Sequence, residues 1–492
     1  MKKQSQSFIL MLLAASVLAG CGGGTPAETT AAAATETTPA ETVPVSNLPD
    51  KDWEGKTFTL VSQAQDSVAW ATVTFTVEEQ NGDIINDEIY LCNSRVMDKY
   101  NFILENVVEN NAGAVVSAIR ASHAAGESEY HAALASYNAQ NSLATEGLYI
   151  DAGTVPNIEL ERDIWDKALL DNVKINGTSY LLTGDLLLSD EDCVLTTIYN
   201  KPMAEDFGIS VTDFYDTVRD GKWTFDKLKE YGKLVSADLN GDTVYDYQDR
   251  YGLLTNLNDT SGNAAVAFIL ACDVRFCTIG DDGKPQFMPD GDRFVTAMEA
   301  VANLLDPKNL INLSYSGSYP GLSARQAIVT WFNNKQALFT AVGLSAGAQY
   351  MRQCEVDFGY LPVPKFDEAQ ENYISHIDTR CSVLGIPAIN DEMEFTGFVL
   401  EALCEDSEDL MTEYFETCFS AKYTQDAESY EMLRIAVENR RYDIGLVFNF
   451  GSMITAVDEA IKRNNGTFAS TIESIRPSVE AAIENFVELT AQ

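Results

Sequence analysis

The chain has 492 residues, 46% of them hydrophobic, which is ordinary for a globular protein and enough for two or three domains' worth of core. Its 74 Asp and Glu against 33 Lys and Arg give a formal net charge of −41, which repels phosphate backbones and makes nucleic acid a poor partner. With three histidines (His123, His131 and His376), no CxxC and no Cys/His group at zinc spacing, a histidine-rich metal receptor or a Ser-His-Asp hydrolase is poorly supplied. The carboxylates are spread along the whole chain and read as a solvated surface, not as an acidic active site.

In chain order, Lys2 and Lys3 come first, then an apolar run from Phe8 to Ala19, then Leu18-Ala19-Gly20-Cys21 closing it. The run is roughly twelve residues, short of the ~20 that cross a bilayer. This order resembles a bacterial lipoprotein signal. The resemblance implies that residues 1–20 are removed, that Cys21 carries the lipid, palmitate included, and that the protein is tethered to the outside of the cell membrane. Residues 21–50 are Thr, Ala, Glu, Pro and Gly with almost nothing to bury, so they are expected to form a disordered tether.

The body starts near Trp53. Lys56–Val61 alternates and is rich in β-branched residues, which predicts a strand. Asn86–Tyr100 carries Ile89, Val96 and Met97 at helical spacing. Tyr130–Tyr137 reads as a short apolar strand ending in a polar turn, with a helix over Leu143–Leu148 after it. Trp223-Thr224-Phe225-Asp226-Lys227-Leu228 is a helix start, with Thr224 as cap and Asp226 in the positive first turn. Asp281-Asp282-Gly283-Lys284 reads as a hairpin turn. Trp331, among Ile328 and Phe332, reads as core. Glu431–Val437 and Ile472–Leu489 are helical, the second with Ile475, Val479, Ile483 and Phe486 on one face. Strands alternating with helices argue an α/β architecture.

One segment has metal-ligand spacing. Counting Asp238 as position 1, oxygen donors fall at positions 1, 3, 5, 9 and 12: Asp238, Asn240, Asp242, Asp246 and Asp249, with the Val244 carbonyl at 7. That is the donor schedule of an EF-hand type Ca²⁺ loop, so a structural calcium ion is expected here and no organic cofactor. Thr243 stands where the turn usually has Gly and Asp249 where it usually has Glu, which predicts a weak site of roughly 10⁻⁴ to 10⁻³ M. Setting Cys21 aside, eight cysteines remain. Their even number outside the cell permits disulfides, while apolar surroundings such as Ala402-Leu403-Cys404 suit buried free thiols, and both readings stay open.

Four further stretches resemble the extracellular solute-binding proteins of ABC importers, in the sugar-binding group related to maltose-binding protein. They are Ile198–Lys201 with Ala204–Ile209, Gly221–Thr224 running into the calcium-type loop and Tyr251–Leu253, Asn334–Phe339, and Phe358–Glu368. The resemblance implies a two-lobed, hinged α/β protein, a monomer without catalysis, which binds a small solute, foremost a carbohydrate, between its lobes and presents it to membrane permease subunits. Lobe 1 is expected at 54–185 plus 373–425, and lobe 2 at 190–372 plus 426–492. Sugar binding calls for aromatic platforms and polar side chains where strands end. The candidates are Gln65, Asp66 and Trp70 after the first strand, Tyr137 and Asn138 after the next, Asp185 at the first crossing, and Asp378 and Arg380 at the return crossing. Two other functions remain open: a surface module capturing glycan or peptide without transport, and a surface glycoside hydrolase using paired carboxylates.

Overall fold

The structure is a computed structural model that describes residues 47–68, 71–256, 264–288, 291–306, 311–315, 317–424 and 426–490. Cys21, the leader and the tether up to residue 46 lie outside the described residues, as does Trp70.

Leu48–Gln492 is one compact unit built on a four-stranded and a five-stranded sheet, with two further two-stranded sheets. The strands are β1 Lys56–Gln63, β2 Phe102–Glu109, β3 Ala132–Ser136, β4 Leu195–Asn200, β5 Tyr251–Thr255, β6 Cys277–Ile279, β7 Pro285–Phe287, β8 Asn312–Ser314, β9 Ala337–Gly343, β10 Phe358–Leu361, β11 Ser375–His376, β12 Ser382–Gly385 and β13 Arg440–Arg441. The first lobe's sheet runs β12-β3-β1-β2, and the second lobe's runs β10-β4-β9-β5-β8. β1 pairs in parallel with both β2 and β3, while β12 returns antiparallel to β3 from far along the chain. In β1, Phe58 and Leu60 are buried on one face and Val61 and Gln63 on the other. Burial on both faces is what a strand covered by helices on each side requires.

The predicted elements are present with shifted bounds. The first helix is Ile84–Tyr100, and the Asp83 carboxylate accepts from the Ile85 and Asn86 N–H groups at its start. Thr224 caps the helix Phe225–Val235 through the Lys227 N–H, and Trp223 is buried with its Nε1 donating to the Pro362 carbonyl. Trp331 is core, its Nε1 donating to the Tyr247 carbonyl. Asp281–Lys284 joins β6 to the antiparallel β7. Ile475 is only half-buried on the helix Phe468–Thr490, whereas Val479, Ile483 and Phe486 are buried. One expectation is corrected. No polar turn follows β3: the chain passes directly from Ser136 into the helix Tyr137–Thr145, so Tyr137 and Asn138 begin a helix. No Gly or Pro intervenes, and the N–H groups that a helix start leaves unpaired are taken up from outside. Tyr137 donates to the Cys381 carbonyl at 2.9 Å and Asn138 to that of Thr379 at 3.2 Å.

Cys92, Cys193, Cys272, Cys277, Cys354, Cys381 and Cys404 are free thiols, and all but the half-buried Cys354 are buried, as is Cys418. Among the described residues, no helix is long and apolar enough to cross a membrane.

Candidate functional site

The chain passes between the sheets at two segments that lie side by side. Leu182, leaving the first lobe, exchanges backbone hydrogen bonds with Leu384 of β12 at 2.9 and 2.8 Å. Twelve residues further on, the segment leading into β4 bridges the returning chain at Val194 and Ile377, and the Asp378 N–H donates to the Cys193 carbonyl at 3.0 Å. Gly184 is required at this passage. A Cβ there would lie 2.3 Å from the Ile164 carbonyl oxygen and 2.9 Å from the Cys404 sulfur.

Between these points runs Ser189-Asp190-Glu191-Asp192, a single helical turn with all four residues buried. Asp192 has partners of its own, whereas Asp190 and Glu191 share one. Asp192 accepts from the Thr72 N–H at 2.6 Å and the Tyr414 hydroxyl at 2.5 Å, and burial pushes its carboxyl up to about 6. The Arg440 guanidinium faces Asp190 at 3.4 Å and Glu191 at 3.3 Å, and holds Asp166 through both Nε and Nη2. Arg440 is therefore a cation shared by Asp166, before the crossing, and Asp190 and Glu191 within it.

A cavity of ≈160 Å³ opens beside the crossings. One wall is the second lobe: Leu195 of β4, Ala341–Gly343 of β9, Ala264 and Ala267 of the helix Ala264–Ala271, Ala324, Ala346, Tyr315 and Tyr350. The other wall is the return crossing, with His376, Asp378 and Arg380. Arg380 donates through Nε and Nη2 to the two Asp378 oxygens at 3.1 and 3.0 Å, a two-point ion pair. His376 is 4% exposed, and among the described residues its Nδ1 has no hydrogen-bond partner. Burial pushes its imidazole down to about 4, with the Asp378 carboxylate pulling the other way, so the ring is neutral at pH 7.

The sequence candidates divide accordingly. Asp378 and Arg380 line this cavity, and Tyr137 and Asn138 abut the same crossing through their backbone N–H groups. Tyr137 is buried and its hydroxyl donates to the Ile377 carbonyl at 3.3 Å, while Asn138 is exposed. Gln65 lines a second cavity of ≈220 Å³ with Gln349 and Arg352 of the opposite lobe. The Gln65 amide is engaged in its own loop, donating to the Ala71 carbonyl at 2.6 Å and accepting from the Val73 N–H at 3.0 Å. Asp66 is exposed on the turn Gln65–Val68 and lines neither cavity. Asp185 also lines neither. It sits by Glu191 and Arg440, and burial, reinforced by the Glu191 charge, pushes its carboxyl up to about 7. His376, Tyr315 and Tyr350 are not among the residues selected by the strand-end pattern. No strand periodicity marks the three together, because β11 ends at His376 and the chain turns at Thr379 and Arg380, the Cys381 N–H donating to the Asp378 carbonyl at 2.9 Å.

The loop Asp238–Asp249 is closed by a bridge between Ala237 and Arg250. Asp238 accepts from the Gly241 and Thr243 N–H groups at 2.7 and 3.0 Å. Asp242 accepts from Val244 at 2.7 Å, and the fully buried Asp249 from Leu239 and Asp246, each at 2.9 Å. Thr243 has φ +66°, the left-handed conformation that the sixth position of a calcium loop needs from its usual Gly. Among the described residues, no three His, Cys, Asp or Glu side chains are gathered as a metal cage.

No protein-family model matches the chain, and no curated protein matches its sequence. Solved structures do match in fold. The sugar-binding protein MalE from the phytopathogen Xanthomonas citri is 12% identical with a TM-score of 0.57, over 89% of this chain and 100% of that one. A cyclo/maltodextrin-binding protein complexed with maltotetraose is 13% identical with a TM-score of 0.54, over 89% of this chain and 98% of that one. An ABC transporter solute-binding protein from Thermotoga lettingae, bound with α-D-tagatose, is 12% identical with a TM-score of 0.51, over 88% and 100%. The fold is the two-lobed α/β fold of these binding proteins.

Proposed function

We propose that this chain, with the fold of the two-lobed solute-binding proteins, is the solute receptor of an ABC importer and captures a carbohydrate between its lobes. The observation that carries the reading is the cavity beside the crossings, where tyrosines and small apolar side chains of the second lobe face His376, Asp378 and Arg380 on the returning chain. Sugars have apolar faces edged with hydroxyls, and this combination of surfaces suits them. The solved relatives are binding proteins crystallised with maltotetraose and α-D-tagatose.

The mechanism follows from two lobes joined by paired crossings. A solute that touches both lobes makes its full contacts only when they close, and it shifts the population toward closure by that difference in affinity. Membrane permease subunits then recognise the closed form. No bond is made or broken, so the reading assigns no nucleophile or general base, and the solute leaves unchanged. The lipid at Cys21 and the tether after it would keep the receptor near those subunits. A Cys21→Ser chain is expected in the medium, and a chain still in the membrane fraction contradicts the anchor.

A thermal-shift screen of the purified chain against a carbohydrate panel tests the function. A ligand at a hundredfold excess over its Kd stabilises by about 2.7 kcal/mol. The expected result is a higher Tm with at least one sugar, together with a smaller radius of gyration in small-angle scattering. A panel without effect contradicts the reading.

For the loop Asp238–Asp249, the proposal is a structural calcium ion held by Asp238, Asn240, Asp242, the Val244 carbonyl, Asp246 and Asp249. The left-handed backbone at Thr243 supports it.

A further inference from the structure

We propose that the cavity beside the crossings takes one uncharged polyhydroxylated ring, and that His376 reads a hydroxyl of that ring. The inference rests on the carbohydrate reading above and narrows its solute class to a neutral monosaccharide.

Size is the first argument. At ≈160 Å³ the cavity is comparable to the ~150 Å³ engineered cavity that admits a single benzene ring, so its enclosed part holds no more than one sugar ring and further units would extend out of it. Charge is the second. Arg380 is the one cation among the described lining residues, and Asp378 already holds it at two points. Buried at the return crossing, His376 is neutral at pH 7. An acidic sugar would have to pull Arg380 from Asp378, and an amino sugar would have to pull Asp378 from Arg380. Either would leave a charge without its partner in a half-buried site.

Hydrogen bonding is the third. A neutral imidazole has one donor and one acceptor nitrogen, so it can serve a hydroxyl in either sense. His376 is 4% exposed, lines the cavity, and among the described residues its Nδ1 has no partner. Burying such a group costs free energy unless something bonds it. A ligand hydroxyl supplies the bond, and Tyr315 and Tyr350 supply rings for the sugar's apolar face.

The test is equilibrium binding to the purified full chain, followed by tryptophan fluorescence, with D-galactose, D-glucose, D-xylose, D-galacturonate, D-glucosamine and maltotriose as probes. A neutral single-ring probe is expected to bind most tightly, at least about tenfold ahead of the charged and the three-ring probes. His376→Leu is expected to weaken that probe about tenfold or more, and His376→Asn, which keeps a polar atom near the Nδ1 position, to recover most of the loss. A charged sugar or maltotriose binding as tightly as the neutral monosaccharides overturns the solute class. Unchanged affinity in a folded His376→Leu chain overturns the role of His376 while leaving the carbohydrate reading intact. If no probe binds the unmutated chain, both fall. The probe ranking uses that chain alone, so it decides the solute class whatever the variants' folding.

Discussion

The backbone N–H of Asp378 donates to the Cys193 carbonyl at 3.0 Å, so the chain's entry into the second lobe is tied to its return beside the proposed solute. The Asp378 side chain, on the same residue, holds Arg380. One position therefore belongs both to the crossing and to the wall of the cavity.

Asp378→Asn tests the charge balance of that wall. It removes the negative partner and leaves the Arg380 guanidinium facing the cavity. Neutral sugars are expected to bind about tenfold more weakly, equivalent to about 1.4 kcal/mol, and D-galacturonate to gain relative to D-galactose. An unchanged ratio of the two affinities counts against the pair as a specificity element.

Arg440 is expected to matter for stability. Arg440→Met leaves Asp166, Asp190 and Glu191, each no more than 4% exposed in its side chain, without the cation they share. Breaking a buried ion pair from one side typically costs about 3–5 kcal/mol. A denaturant titration should show a loss of that order, and a loss under about 1 kcal/mol would mean that water already solvates the group.

The buried carboxyls set the pH dependence. Burial pushes Asp185 up to about 7 and Asp192 and Asp443 to about 6, so the folded chain holds these protons more tightly than the unfolded chain, whose Asp carboxyls titrate near 3.9. Their stabilisation is complete below the unfolded value and is lost as pH rises through about 6 to 7. His376 acts in the opposite sense. Its folded value lies near 4, so its contribution is present above about 6.5 and is lost as pH falls toward 4. With three groups against one, the Tm at pH 6 is expected to exceed that at pH 8. Asp185→Asn should raise the Tm at pH 8, by on the order of 1 kcal/mol in stability, and flatten the slope. Equal Tm values at pH 6 and 8 would contradict these buried protonations.

Calcium is testable by removal. At about 10 mM Ca²⁺ and a Kd of roughly 10⁻⁴ M, binding stabilises by about 2.7 kcal/mol, so chelator should lower the Tm and Asp238→Ala should abolish the difference. A chelator-insensitive Tm means that the carboxylates of this loop serve only its own N–H groups.

Local pattern made much of the fold legible. Alternation with β-branched residues marks β1, the spacing of Ile89 and Val96 marks the helix Ile84–Tyr100, and Thr224 marks the start of another. Partners distant in sequence are what local pattern conceals. Tyr137 begins a helix because carbonyls more than two hundred residues away accept its N–H and that of Asn138. Ser189-Asp190-Glu191-Asp192 falls under the general reading of the carboxylates as solvated surface, yet it is buried, with Arg440, Thr72 and Tyr414 coming to it from elsewhere. At the site, Asp378 and Arg380 are legible as charged residues flanking a strand. His376 is not, because its lone imidazole shows nothing of its burial or of the cavity.

Calorimetric titration of the full chain with the tightest monosaccharide of the panel separates capture from turnover. The expected result is a heat that saturates at one sugar per chain, with the sugar recovered chemically unchanged. Heat that continues after saturation with altered sugar in the cell, or no binding heat for any carbohydrate, would contradict a receptor that closes on its solute and lets it go intact.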